Sequence, residues 1–105
     1  MTVSIAIIWT NPTMNTDGTP IQTTGPSSIT GTVIQIGTDN GGAFGTLVTT
    51  LNVTGAASNF TTALNPGTYS VRAATKNAAG SQSGWSAVVT KVVAPPPIPE
   101  PPVLA

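Results

Sequence analysis

The stretch Pro66-Gly67-Thr68-Tyr69-Ser70-Val71-Arg72-Ala73-Ala74-Thr75-Lys76 decides the fold class. After the Pro66-Gly67 turn, Tyr69, Val71, Ala73 and Thr75 fall on one side, and Ser70, Arg72, Ala74 and Lys76 on the other. Successive side chains of a strand point to opposite faces, so this alternation predicts a strand with one buried face. The same period recurs upstream. Phe60, Thr62 and Leu64 alternate over residues 59–64, and Leu47, Thr49 and Leu51 within residues 44–53. Thr32, Ile34 and Ile36 share a face within residues 29–38. Asp39-Asn40-Gly41-Gly42 then gives a turn, because Asn and Gly tolerate positive φ. Over residues 2–10, Val3, Ile5, Ile7 and Trp9 line one face and Ile8 the other. Asn11-Pro12 ends that strand, since proline has no N–H for a ladder. Downstream, residues 77–84 read as a loop and residues 86–93 as a last strand.

Short strands separated by turn residues, with no helical period anywhere, predict an all-β sandwich or barrel. The inward faces give a core of Ile5, Ile7, Trp9, Ile34, Ile36, Phe60, Leu64, Tyr69 and Val71. Residues 94–105 break the pattern. Pro95, Pro96, Pro97, Pro99, Pro101 and Pro102 interleave there with Ile98, Glu100, Val103 and Leu104. Such proline density enforces polyproline II and forbids a central strand. The chain thus divides into a sandwich over residues 1–93 and an extended arm over residues 94–105.

Composition narrows the function. A chain of 105 residues suits one domain. It contains no cysteine and no histidine, which removes a disulfide framework, a thiolate nucleophile and the usual neutral-pH proton shuttle. The only charges are Arg72, Lys76 and Lys91 against Asp17, Asp39 and Glu100. Three scattered cations form neither a nucleic-acid footprint nor a polybasic membrane patch. No apolar run is long enough for a transmembrane helix. Residues 1–10 lack the basic start and small-residue cleavage site of a signal peptide. Charged residues make up 6% of the chain, against ~25% in ordinary soluble domains. With zero formal net charge, self-repulsion is weak and association is favoured.

Segments taken in order resemble a fibronectin type III domain. Trp9-Thr10-Asn11-Pro12 ends a strand where that family places a tryptophan between its sheets. Asp17-Gly18-Thr19-Pro20-Ile21 is similar to the turn before strand C, and Ile29-Thr30-Gly31 to the opening of that strand. Leu64-Asn65-Pro66-Gly67-Thr68-Tyr69 resembles the segment leading to the strand F tyrosine. Asn77-Ala78-Ala79-Gly80 and Ser83-Gly84-Trp85-Ser86 resemble the F–G loop and the start of strand G. The resemblance spans roughly residues 3–93 and implies an immunoglobulin-like sandwich. Three departures stand out. Thr32 occupies the place of a strand C tyrosine, Tyr69 follows Leu64 one residue sooner than usual, and residues 23–28 look inserted. Only Met1 and Thr2 precede the strand B pattern, so strand A is short or missing and one sheet edge is left open.

The candidate sites are few. Asp17 and Asp39 sit in turn contexts, where Asp bonds its own backbone, and they do not form an acid–base pair. The many Ser and Thr hydroxyls lack an activating base. The chain therefore reads as non-catalytic, with no cofactor and no metal site. Trp85 lies at a loop-to-strand boundary and Arg72 points outward from its strand. The resemblance implies an Arg72–Trp85 cation–π contact; the other reading makes Trp85 an exposed contact for sugar or protein. Pro95, Pro96, Pro97, Ile98, Pro99, Pro101, Pro102, Val103 and Leu104 form an arm that either docks on a neighbouring subunit or is a linker. These features suggest a structural or decorating subunit of a large assembly such as a phage virion, either a homo-oligomer or a partner of capsid or tail proteins. The alternatives are an extracellular module touching carbohydrate or a cell surface, and a spacer domain of a longer protein.

Overall fold

The computed structural model describes residues 1–104; Ala105, the end of the predicted arm, lies outside the described residues. Six strands follow in order: β1 (Val3–Ile8), β2 (Ile29–Asn40), β3 (Ala43–Thr54), β4 (Asn59–Leu64), β5 (Gly67–Asn77) and β6 (Val89–Val93). They pair antiparallel into a two-stranded sheet, β1-β4, and a four-stranded sheet, β3-β2-β5-β6. No helix occurs among the described residues.

Local chemistry sets the hairpins. Gly41 and Gly42 close the β2–β3 turn with φ of 63° and 88°. Two positive values in a two-residue loop define the turn whose twist matches paired strands, and glycine adopts them without strain. Tyr69 anchors the start of β5, its hydroxyl donating to the Asn65 carbonyl at 2.6 Å.

The inward faces then meet. Ile7 of β1 and Leu64 of β4 pack on Ile34 and Ile36 of β2, Val53 of β3, Val71 of β5 and Val93 of β6. Val3, Ile5, Trp9, Phe60 and Tyr69 lie partly buried against this cluster. The two sheets therefore face one another across one apolar layer, as in a β-sandwich. Ile34 and Ile36 are fully buried at its centre. Each such side chain contributes roughly 1.5–3 kcal/mol relative to exposure.

Three local expectations change. The last strand begins at Val89, not at residue 86, for a reason given below. In β3, Ile36 opposes Thr49 while Gly37 opposes Leu47, so Val48 has no partner on β2. That bulge breaks the alternation and leaves Leu47 and Val48 about half exposed. On the outer face of β5, Ser70 and Ala74 are buried although the alternation alone points them to solvent.

Strand direction fixes the two ends of the sandwich. Val93 pairs with Gly67, so the chain leaves β6 beside the start of β5. The β1–β2 connection and the β5–β6 loop gather at the other end, where Ala78 and Ala79 bond back to Ser28 and Pro26. Among the described residues beyond Val93 no strand forms, and Ile98, Val103 and Leu104 are 89%, 97% and 90% exposed. The radius of gyration is 17.9 Å with a long axis of 71 Å, against ~13 Å for a compact chain of this length.

Replacing Ile36 by Ala empties the centre of the layer. The expected loss is ~2–5 kcal/mol, read as a lower urea midpoint at unchanged slope.

Candidate functional site

The densest grouping of chemistry-bearing side chains lies on the outer face of the four-stranded sheet. Gln35 of β2 and Arg72 of β5 are cross-strand partners. The Gln35 Oε1 accepts from Arg72 Nε at 3.0 Å and from an Arg72 terminal nitrogen at 2.6 Å. The guanidinium carbon lies 4.6 Å from the centre of the Trp85 ring and 4.1 Å from that of Phe44. Arg72 is therefore held by two aromatic rings and an amide oxygen. The Trp85 contact is the one implied by the resemblance; the Phe44 and Gln35 contacts were not anticipated. Their only sequence signal is Gly37. A methyl group there would come within 2.7 Å of Phe44 Cζ, so the ring reaches Arg72 across a strand position that carries no side chain.

Trp85 is placed by an irregular segment. Residues 83–86 run beside β5, with the Ser83 N–H donating to the Thr75 carbonyl and the Ser86 N–H to the Ala73 carbonyl. In the return direction the Thr75 and Ala73 N–H groups donate to the hydroxyls of Ser83 and Ser86. Side-chain oxygens take the place of strand carbonyls, so the ladder continues while the backbone departs from strand geometry. This is why β6 begins only at Val89. Trp85 remains 39% exposed, with part of its surface left to solvent.

Next to this stack, the Ser70 hydroxyl lies 3.1 Å from the Asp39 carboxylate and 3.0 Å from the Ala43 carbonyl, which share its single proton, and Asp39 also accepts from the Gly42 N–H. Asp39 is thus occupied by turn closure. Asp17 accepts from the Thr19 hydroxyl at 2.6 Å and from the Thr19 N–H at 3.0 Å. The hydroxyl first, and then the amide, hold its carboxyl below the ordinary aspartate value. The two aspartates serve separate turns. Among the described residues, no group of three His, Cys, Asp or Glu gathers as a metal site, and no helix is long and apolar enough to cross a membrane.

The third region is the flank formed by β1 and β6. In its sheet β1 pairs only with β4, which leaves its other edge unpaired among the described residues. Ile8 is 75% exposed, and Val89 and Val92 are exposed on β6. Pro95, Pro96, Pro97, Pro99, Pro101 and Pro102 project with Ile98, Val103 and Leu104 as a bare arm. The structure does not bring Trp85 and the arm together: Trp85 lies over the outer sheet face, and the arm leaves beside Gly67.

Searches against family models, curated proteins and solved structures return no match to this chain.

Two outcomes follow. In a double-mutant cycle, Arg72→Met and Trp85→Ala should show a coupling of ~0.5–1 kcal/mol in chemical denaturation, the size of a partly exposed cation–π contact. For Asp17, the depressed carboxyl favours the turn above the unfolded pKa, and that contribution fades as pH falls through the lower folded value. An NMR titration should therefore place the Asp17 midpoint below that of a model peptide. Thr19→Val should raise it.

Proposed function

We propose that this chain is a non-catalytic structural subunit of a large assembly. The assembly we favour is a phage virion, in which the chain decorates a capsid or builds part of a tail or fibre. Its sandwich is read as fibronectin type III-like, with the edge of β1 away from β4 unpaired among the described residues. The sheet orders β1-β4 and β3-β2-β5-β6 and the Tyr69 hydroxyl bond to the residue 65 carbonyl support that reading. So does a tryptophan stacked on an outward arginine.

The observation that carries the assembly role is the undefended edge of β1. Sheet edges that stay free are normally blunted by lysine, proline, a bulge or a covering loop. Val3-Ser4-Ile5-Ala6-Ile7-Ile8 has no charge and no proline, and its register against β4 is unbroken. A two-stranded sheet is also marginal by itself and gains from a third strand. The outward-facing residues of β4, Asn59, Thr61 and Ala63, are more polar than those of β1, Ser4, Ala6 and Ile8. The partner is a protein subunit, a second copy or a capsid or tail protein. It adds an extended segment along β1, and the apolar residues of the arm are suited to the same contact on a neighbour.

Sedimentation of the full chain, of a chain ending at Val93, and of Ile8→Lys tests this. Concentration-dependent assembly is expected for the full chain, with a loss in both variants while the far-ultraviolet spectrum stays that of a folded β protein. Unchanged assembly after removal of the arm sinks the arm contact. A monomeric full chain at every concentration sinks the self-associating form of the proposal.

A further inference from the structure

The two sheets are unequal, and the mismatch leaves the width of one strand bare. The β1-β4 sheet ends at β1, whereas the opposite sheet continues to β6. In β6, Val89 pairs with Val71, Lys91 with Tyr69 and Val93 with Gly67. Val71 and Val93 belong to the core and Tyr69 packs against it. Directly opposed residues share a face, so Val89, Lys91 and Val93 all point inward, toward the layer between the sheets. Val93 is buried, Lys91 half-buried and Val89 54% exposed. A cleft of about 140 Å³ opens there, with Ile7, Ile8 and Trp9 on one side and Ala87, Val89 and Lys91 on the other. One more strand beside β1 would roof it.

The cation in this cleft is out of place. The layer between the sheets is apolar, and burying part of a lysine there costs hydration. An inward charge on an edge strand discourages pairing with a purely apolar segment and favours one that carries the opposite charge. Arg72 also borders the cleft, but its guanidinium is held by Gln35 and two rings on the outer face. Of the three anions, Asp17 and Asp39 close turns. Glu100 is exposed on the arm.

The arm has the matching pattern. In Pro97-Ile98-Pro99-Glu100-Pro101, proline falls at every second residue. An extended backbone sends the N–H groups of successive residues to opposite edges. Those of Ile98 and Glu100 thus share one edge, and across this run the other edge has no donor. Proline is tolerated in a strand at the margin of a sheet, with its blocked side to solvent. Because each precedes a proline, Ile98 and Glu100 are held extended before any contact forms. Their side chains share a face, so an arm laid along β1 with Ile98 inward also turns Glu100 inward, toward Lys91. The order apolar, charged, apolar in Ile98, Glu100 and Pro102 repeats that of Val89, Lys91 and Val93. The arm cannot reach the cleft of its own chain, because it leaves past Gly67 and Pro95-Pro96-Pro97 follow with no turn residue.

We propose that the arm of a second copy fills the cleft between β1 and β6 as the marginal strand, with its Glu100 paired to Lys91 across the sheets. This rests on the reading of β1 as an assembly edge and names the occupant of that edge.

Charge reversal in the full chain, followed by sedimentation, tests it. Lys91→Glu and Glu100→Lys each bring like charges together and should weaken association about tenfold or more. An equimolar mixture of the two variants, and the double variant, restore opposite charges and should associate as the parent does. Carbodiimide treatment of mixed light and heavy isotope-labelled chains should join Lys91 of one copy to Glu100 of another. Parental association of both single variants overturns the inference. So does failure of both the mixture and the double variant to recover, a Lys91–Glu100 link found only within one chain, or a full chain that stays monomeric at every concentration. If Ile8→Lys abolishes an association that both charge variants retain, the β1 edge stands and the arm is not its occupant.

Discussion

Everything in this molecule hangs on the pairing of β2 with β5. That register sets Ile34 opposite Ala73 and Ile36 opposite Val71 on the inner face, and Gln35 opposite Arg72 on the outer one. The inner residues make the floor on which the two-stranded sheet lies; the outer pair makes the platform for Phe44 and Trp85. A slip of one residue would exchange the faces and bury the guanidinium in the apolar layer, so the register is strongly specified. Central strands covered on both sides also explain why Val33, Ser70 and Ala74 are buried although they alternate with core residues.

The alternating faces were legible in the chain because hydrophobic period and strand geometry are the same signal. Ile5, Ile7, Ile34, Ile36, Leu64 and Val71 all reach the apolar layer from that pattern. What escaped is what alternation cannot encode. The bulge at Val48 depends on how β3 meets β2 in space, and it decouples Leu47 from its inward neighbours. Residues 83–86 read as the approach to a strand, yet two serine hydroxyls do the work of carbonyls there. Phe44 and Arg72 are far apart in sequence, and nothing short of the β2–β3–β5 arrangement brings them together. Thr32 was visible as a departure from an aromatic position, but the space it leaves appears only once Thr75 and Ala73 stand beside it.

With three cations and three anions, the chain has little scope for ion pairs and closes its turns by hydrogen bonds to backbone amides. The turns close through side-chain oxygens on backbone amides: Asp17 on Thr19, Asp39 on Gly42, Gln22 on Ser27 and Asn77 on Ser81. The cation best positioned for contact, Arg72, is spent on an amide and two rings with no carboxylate among these partners. The neutral ones among the turn bonds, Gln22 on Ser27 and Asn77 on Ser81, are individually worth about 1 kcal/mol and depend little on ionic strength. A surface made this way offers few long-range forces for steering an encounter.

The antiparallel course of β5 and β6 gives the molecule a direction. The arm departs beside Gly67, while the loop end of the sandwich lies past Thr75, and a strand of this length separates them by roughly 30 Å. A copy fastened at the arm therefore holds its loop end away from whatever it is fastened to. Were copies held side by side, that orientation would point every loop end the same way, and weak contacts there would add in avidity without any one of them needing high affinity.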